Sequence, residues 1–128
     1  MRTSPRATDL LQSVIAHLQT TVLPKLTGRE AFDTKVAVRA LGIVQRELEL
    51  RPDAEARELA RLQNLLRVEG PVEALNRQLC EAIGQDRIDL NTPGLIEHLW
   101  ATTLDTLAID QPTYATYQAV RNDQETPK

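Results

Sequence analysis

The sequence has few of the residues that build disulfide frameworks, metal sites or aromatic cores. Of its 128 residues, one is a cysteine and 3% are aromatic. A single thiol excludes an internal disulfide and a cysteine-rich metal site. The scarcity of aromatics means that the core must be built from Leu, Val, Ile and Ala. Cys80 lies at the edge of a helical apolar face, so we expect it to be a small buried residue and not a nucleophile.

Charge of one sign and long apolar runs are also missing. The formal net charge is −3, with acids and bases interspersed. Nucleic-acid binding needs clustered Lys and Arg, usually with aromatics or a recognition motif, so we expect no nucleic-acid partner. No stretch approaches the roughly 20 apolar residues of a membrane span, and the first residues lack the apolar run of a signal peptide. We therefore predict a soluble cytoplasmic protein without membrane association.

What is present favours helices. The hydrophobic share is 41%, as in globular domains, and the strong helix formers Ala, Leu, Glu, Arg and Gln are plentiful. Apolar residues recur at helical spacing. The predicted helices begin near residues 8, 30, 52, 71 and 93. A short sixth helix at 113–120 and a polar, frayed tail from about residue 121 follow. Short connections predict a single all-α domain over residues 1–128, an antiparallel up-and-down bundle of about five helices.

Proline, glycine and capping residues set the predicted helix ends. Pro24 ends the first helix, and 51-RP-52 separates the second from the third. Gly84 is the predicted C-cap of the fourth helix. Asn91 or Thr92 is the predicted N-cap of the fifth.

The second predicted helix, 30-EAFDTKVAVRALGIVQRELEL-50, carries two acids, Asp33 and Glu47, on its apolar arc. At 1.5 Å per residue they lie roughly 21 Å apart, so they cannot act together on one bond. Asp33 is explained by the helix dipole, which favours a carboxylate in the first turn. For Glu47 we expect an ion pair at the rim of the core, either with Arg51, one turn later, or with an arginine from another helix. The predicted inward arc comprises Phe32, Val36, Ala40, Ile43, Val44 and Leu48.

Four polar residues remain candidates for a ligand site or a buried polar cluster: Glu47, Arg39, Arg46 and Asn76. The simpler interpretation of Asn76 is that it satisfies backbone groups of a neighbouring loop. His98 points away from the apolar face that we assign to Leu99, Trp100 and Thr103. No phosphate loop, nucleophile elbow or zinc-ligand spacing occurs. The sequence therefore predicts no catalytic residue, no metal site and no cofactor.

Three segments carry a family resemblance: 28-GREAFDTKVAVRALGIVQRELEL-50, 75-LNRQLCEAI-83 and 95-LIEHLWATTLDTLAIDQPTY-114. From about Leu10 to Tyr114 the chain resembles a bacterial family of small helical proteins of unknown function. Members are found beside, or fused to, kinases of the aminoglycoside-phosphotransferase type, often near acyl-CoA dehydrogenase-like genes. The chain departs from the family pattern at Asp33, where the family has His, and near Arg39, where it has Asn. The resemblance implies association and no activity.

Two functional hypotheses follow. The first is a non-catalytic helical module that binds a protein partner, which the resemblance implies to be a phosphotransferase-like kinase or an acyl-CoA-metabolising enzyme, or that forms a homodimer. Apolar residues left off the main faces support it, because exposed apolar clusters mark interfaces. Examples are Leu23, Val38, Leu65 and Ile109. The alternative is a small-molecule-binding or catalytic bundle that uses inward polar residues of the second helix.

Overall fold

The structure is a computed structural model that describes residues 5–125. These residues form five α-helices: α1 Ala7–His17, α2 Gly28–Leu66, α3 Val72–Gly84, α4 Leu95–Asp110 and α5 Ala115–Glu125. A π-helical segment, Leu18–Val22, and a 3₁₀ turn, Leu23–Lys25, lie between α1 and α2. The described range contains no strand. The prediction of an all-α bundle of about five helices is confirmed in class and helix number.

Backbone contacts divide the chain into two compact units, Met1–Arg51 and Pro52–Lys128, which we call unit 1 and unit 2. The single domain over the whole chain stays a prediction. Within the described range, the apolar stretches of the helices are too short or too interrupted by charge for any helix to cross a bilayer.

In unit 1, α1 runs along α2 in the opposite direction. Gln45 Nε2 donates a hydrogen bond to Gln12 Oε1 at 3.0 Å. Residues 6–8 and 48–49 together line a shallow cavity. Ile15 of α1 and Val38 of α2 are buried. Val38 and Gln45 are two helical turns apart on the same side of α2, so this side faces α1.

Unit 2 has an aliphatic core. It comprises Leu62 from α2, Leu75, Leu79 and Ala82 from α3, Ile88 from the following connection, and Leu95 from α4. Leu59, Leu66 and Val72 are partly buried against it. Each large side chain contributes about 1.5–3 kcal/mol on burial, most of which chain entropy offsets. α2, α3 and the start of α4 are therefore held by one shared interior.

The predicted break at 51-RP-52 is wrong, because α2 continues through Pro52 to Leu66. Proline removes one backbone hydrogen bond to the carbonyl four residues earlier and crowds that carbonyl. Strong helix formers stand on both sides, in 47-ELEL-50 and 54-AEARELA-60. The hydrogen bond lost at Pro52 therefore did not end the helix.

The predicted caps also differ from the observed ones. α3 ends at Gly84, but the residue with a left-handed backbone is Asp86, with φ 59°. α4 begins at Leu95 after Gly94, whose φ of 94° favours glycine, and not after Asn91 or Thr92. Thr92 Oγ1 instead accepts the backbone N–H of Asp89 inside the connection, at 3.0 Å.

The last helix is shifted toward the C-terminus relative to the prediction. α5 covers Ala115–Glu125, so the first part of the tail predicted to be frayed is helical. The remainder of that tail, residues 126–128, lies outside the described residues. Tyr117 is buried, whereas Tyr114 is half-exposed.

The predicted inward face of α2 within unit 1 is wrong. Val36 is 52% exposed, whereas Val38, assigned to the leftover residues, is 9% exposed. The side toward α1 includes Ala31 and Val38, which lie two helical turns apart. Since α2 is apolar on two opposite sides, the helical period alone could not choose between them.

The predicted buried face of α4 is also wrong. Ile96, Leu99 and Trp100 are about half-exposed, while the leftover residue Ile109 is fully buried. The buried residues of α4 are Leu95, His98 and Ile109. α4 is apolar around most of its circumference, so its hydrophobic pattern does not select one side. Cys80, which we expected to be buried, is exposed on α3.

Candidate functional site

The four predicted site residues divide between the two units. Arg39, Arg46 and Glu47 belong to unit 1, and Asn76 belongs to unit 2. Arg39 is exposed. Arg46 folds back along its own helix, since a Cβ atom at Gly42 would lie 3.2 Å from Arg46 Nη1. Each of these groups therefore has local surroundings of its own.

Both acids of the second predicted helix form ion pairs within α2. Arg51 Nε donates to Glu47 Oε1 at 2.9 Å, and Arg51 Nη2 donates to Glu47 Oε2 at 3.3 Å. Arg29 Nε donates to Asp33 Oδ1 at 3.1 Å. Of the two sources of a partner considered for Glu47, the structure has Arg51 of the same helix. Exposed pairs of this kind stabilise a helix by about 0.2–1 kcal/mol, so the two pairs neutralise charge more than they hold the fold together.

We expected Asn76 to bond to the backbone of a neighbouring loop, but it bonds to a side chain. Its Nδ2 donates to Glu58 Oε1 at 2.9 Å, which links α3 to α2 inside unit 2. This partner lies 18 positions away in the sequence, so no spacing within one helix could have indicated it. Asn76 thus holds two helices together at the edge of the core.

His98, which was predicted to point away from the apolar face of its helix, is the buried polar residue of the described range. It is 2% exposed, and Arg61 Nε donates to its Nδ1 at 3.0 Å. Arg61 Nη2 donates to Thr102 Oγ1 at 3.2 Å. Because a guanidinium only donates, Nδ1 must be an acceptor, and the ring is neutral with its proton on Nε2. His98 and Thr102, one turn apart on α4, thereby fix the position of the Arg61 guanidinium.

The surroundings of His98 favour this neutral ring. Burial lowers the pKa of His98 below its ordinary value of 6.5, and the positive charge of Arg61 lowers it further. Glu58 acts in the opposite direction. The pattern 98-HLWAT-102 places His98 and Thr102 on one side of α4, which is the only sequence signal for this arrangement.

Arg61 also lines a cleft in unit 2, between α2, α4 and α5, with a volume of about 520 Å³. We call it the arginine–aromatic cleft. Apolar walls come from Trp100, Ala101, Leu104, Ala108 and Tyr117. Three arginines, Arg57, Arg61 and Arg121, and two acids, Glu97 and Asp105, add charge. A cleft of this size and mixed lining matches the dimensions of small-molecule sites.

Two contacts arrange the rim of the cleft. Arg57 Nη2 donates to Asp105 Oδ1 at 3.2 Å, which neutralises one positive charge locally. The guanidinium carbon of Arg121 lies 5.8 Å from the centre of the Tyr117 ring, within cation–π range. Trp100 is 50% exposed at the wall. Within the described residues, no three His, Cys, Asp or Glu side chains come together as metal ligands would.

A second feature is an exposed apolar row on α2 in unit 1. It comprises Phe32, Val36, Ala40, Val44 and Leu48, each four residues after the last. All five are exposed, with Phe32 at 61%. We call these five residues the α2 apolar row. On a helical wheel Val36 and Ala40 lie about 160° from Val38, so the middle of the row turns away from α1. Leu48, at the end of the row, also lines the shallow cavity with residues 6–8.

Comparisons with known proteins give one match. A family model described as a domain of unknown function, DUF6285, matches residues 24–114. No curated protein and no solved structure matches the chain. The predicted resemblance to a family of unknown function is confirmed over this range. The chain belongs to the DUF6285 family.

Proposed function

We propose that this member of the DUF6285 family is a non-catalytic helical interaction module of the bacterial cytoplasm, which pairs with a second copy of itself through the α2 apolar row. The observation that supports this proposal is the exposure of five apolar residues at regular four-residue spacing. A soluble monomer rarely leaves a contiguous apolar patch of this kind uncovered. Rows at this spacing form the ridges with which helices pack on one another.

The size pattern of the row suits a second copy. Large residues, Phe32 and Leu48, stand at the two ends, valines stand inside them, and the small Ala40 stands at the centre. In an antiparallel pair centred on Ala40, Val36 of one copy lies beside Val44 of the other. The central alanine allows the two helices to approach closely. A two-fold axis through this point makes the same surface serve on both copies.

The charges at the ends of the row do not oppose this pairing. The Arg29–Asp33 pair stands at one end and the Glu47–Arg51 pair at the other. Each pair is neutral by itself, so the ends that meet in an antiparallel dimer bring no net charge. The two acids that interrupt the apolar arc of the sequence are thus accommodated in this dimer.

One edge of the row is basic, and this edge opposes pairing with a second copy. Lys35 and Arg39 are exposed there and would approach the same edge of the other copy. Exposed charge pairs are worth about 0–1 kcal/mol and are screened by salt. Covering the exposed half of each large apolar side chain is worth roughly 1 kcal/mol. Since eight such side chains meet in the dimer, the apolar contribution is larger.

Sizing by light scattering, over micromolar to millimolar protein, tests the proposal. We expect a dimer that becomes tighter as salt is raised, because salt screens the basic edges. Val44→Glu should give a monomer with unchanged helix content, since Val44 is exposed. Val68→Glu is the matched control, because Val68 is an exposed valine outside the row. A wild-type monomer at all concentrations, or dissociation of both variants, would contradict the proposal.

Disulfide cross-linking tests the centre of the dimer. In a Cys80→Ser background, Ala40→Cys should form a covalent dimer on mild oxidation, because the two-fold axis brings the two copies of residue 40 together. Ser13→Cys, on an exposed position of α1, should remain monomeric under the same conditions. Equal cross-linking of the two variants would exclude the proposed centre.

The resemblance implies a second partner, a phosphotransferase-like kinase or an acyl-CoA-metabolising enzyme, and this remains a prediction. Co-expression with the product of an adjacent gene of either class tests it. If such a complex forms, is disrupted by Val44→Glu and weakens with salt, the row serves that protein and not a second copy. If it forms and tolerates Val44→Glu, the self-pairing proposal stands beside it.

The alternative function, a ligand-binding or catalytic site that uses Glu47, Arg39, Arg46 and Asn76, also stays a prediction. Its support is weaker, because Glu47 is paired with Arg51 and Asn76 with Glu58. Glu47→Gln should leave stability and self-association nearly unchanged if the ion pair is its whole role.

A further inference from the structure

We propose that the arginine–aromatic cleft binds a small monocarboxylate that has a hydrophobic body. This goes beyond self-association, and it concerns unit 2 alone. Three arginines and two acids line the cleft. Arg57 is paired with Asp105, whereas both side-chain hydrogen bonds of Arg61 go to the uncharged side chains of His98 and Thr102. The remaining lining is largely aliphatic and aromatic, which suits an apolar body.

Arg61 is the residue that we assign to the carboxylate. A guanidinium has five N–H donors, and Arg61 uses one toward His98 and one toward Thr102. Three N–H groups remain, on a side chain whose position two hydrogen bonds have already fixed. A fixed guanidinium loses little freedom when it binds an anion, and the planar carboxylate matches its geometry.

The neutral state of His98 matters for this role. The neutral Nδ1 of His98 accepts a hydrogen bond from Arg61, and Thr102 accepts the other. Neither acceptor is negatively charged, so neither bond neutralises the guanidinium. Arg57, in contrast, already donates to Asp105. A ligand carboxylate would therefore be the acidic hydrogen-bond partner that Arg61 does not have in its bonds to His98 and Thr102. His98 and Thr102 act as positioning residues, because they hold Arg61 and do not line the cleft.

The apolar body of the ligand would lie against Trp100, Leu104 and Ala108. Trp100 is half-exposed at the wall, although a large aromatic side chain gains free energy when it is covered. The Arg121 side chain, which lies over the Tyr117 ring, forms part of the rim. Both aliphatic and aromatic bodies fit these walls, so the shared chemistry is the carboxylate joined to an apolar group.

Trp100 is the one tryptophan of the chain, so its fluorescence reports on the cleft directly. The first experiment titrates the full chain with octanoate and, in parallel, with octanol. We expect octanoate to bind with a dissociation constant between micromolar and millimolar, and to shift Trp100 emission to shorter wavelength as water leaves the indole. Octanol should bind at least tenfold more weakly, because it lacks the charge.

A second arm measures the binding of phenylpropionate and phenylpropanol by calorimetry. Comparison with octanoate then tells whether the cleft prefers an aromatic or an aliphatic body. Binding of either carboxylate in preference to its alcohol supports the proposal and identifies the body. If neither carboxylate binds at millimolar concentration, or if each alcohol binds as well as its acid, the proposal is overturned.

Substitutions locate the site. Arg61→Gln should weaken octanoate binding by about 10- to 100-fold, the usual loss for a hydrogen bond to a charged group. Because Arg61 also bonds to His98, Arg121→Gln provides a second variant on a more exposed helix, with an expected loss of several-fold. Arg77→Gln is the matched control, since Arg77 is exposed on α3 and does not line the cleft. Wild-type binding by both cleft variants would overturn the proposal, whatever the state of the α2 apolar row.

Discussion

Val36 and Val38 are a matched pair for deciding which side of α2 faces inward. They are the same residue type, two positions apart in one helix, and the hydrophobic period predicts Val36 to be buried. The structure reverses this, with Val38 at 9% exposure and Val36 at 52%. Val→Ala at each position changes helix propensity by the same amount, so a difference between the two variants reports on packing alone.

The expected difference follows from these exposures. Removing two methyl groups costs about 1.6 kcal/mol when they are fully buried, at about 0.8 kcal/mol per group. At Val38 the two methyl groups are almost fully buried, so nearly all of this free energy is lost. The small cavity that remains adds to the cost, which gives about 1.5–2.5 kcal/mol. For Val36 half of the side chain already contacts water, so we expect about 0.8 kcal/mol or less.

Urea unfolding followed by far-ultraviolet circular dichroism measures both values. With a slope of about 1–3 kcal/mol per molar urea, the Val38→Ala midpoint should lie roughly 0.2–1.7 M below that of Val36→Ala. Because Val36 belongs to the proposed dimer contact, the experiment is run at several protein concentrations. The Val38 effect should not change with concentration, whereas the Val36 effect should grow. Equal costs, or a larger cost at Val36 in the dilute limit, would refute the observed orientation of α2.

Three other predictions concern single residues. The pKa of His98 is lowered in the folded state, so between this pKa and 6.5 the unfolded chain binds more protons than the folded chain. The free energy of unfolding should therefore fall as the pH drops through 6.5, and it should fall less steeply in His98→Gln. An identical pH profile for the two proteins would count against the buried neutral ring. Glu58 and Arg61 both lie near this ring, so the profiles should be compared in one buffer and salt series. Pro52→Ala should raise the free energy of unfolding by up to about 3 kcal/mol, since it restores the missing hydrogen bond inside α2. A thermal melt that shows destabilisation would instead support a true break of the helix at this position. Cys80 should react with a thiol reagent in the native protein as fast as in urea, because it is exposed; strong native protection would return it to the buried state that the sequence predicts.

The helical class could be predicted because helix propensity, helical spacing and breaker residues are local properties. Pro71, for example, precedes the first residue of α3, whose start was predicted near residue 71. Pro52 misled the prediction because its local cost of about 3 kcal/mol is smaller than the stabilisation that a long helix gains from its neighbours.

The candidate sites could not be predicted, because they depend on residues that are distant in the sequence. His98 meets Arg61 across 37 positions, and Asn76 meets Glu58 across 18. In α4 the apolar residues surround the helix, so a wheel assigns Trp100 to the core and His98 to solvent. The observed arrangement is the opposite of that assignment.

The sequence by itself determined that this chain folds into helices and where most of them begin. Only the tertiary structure decided which side of each helix is covered. Local spacing specifies the faces of a helix, but a helix with two apolar sides buries the one that its neighbours fit more closely. The other side stays exposed, and in α2 that exposed side is the row from which we infer the function.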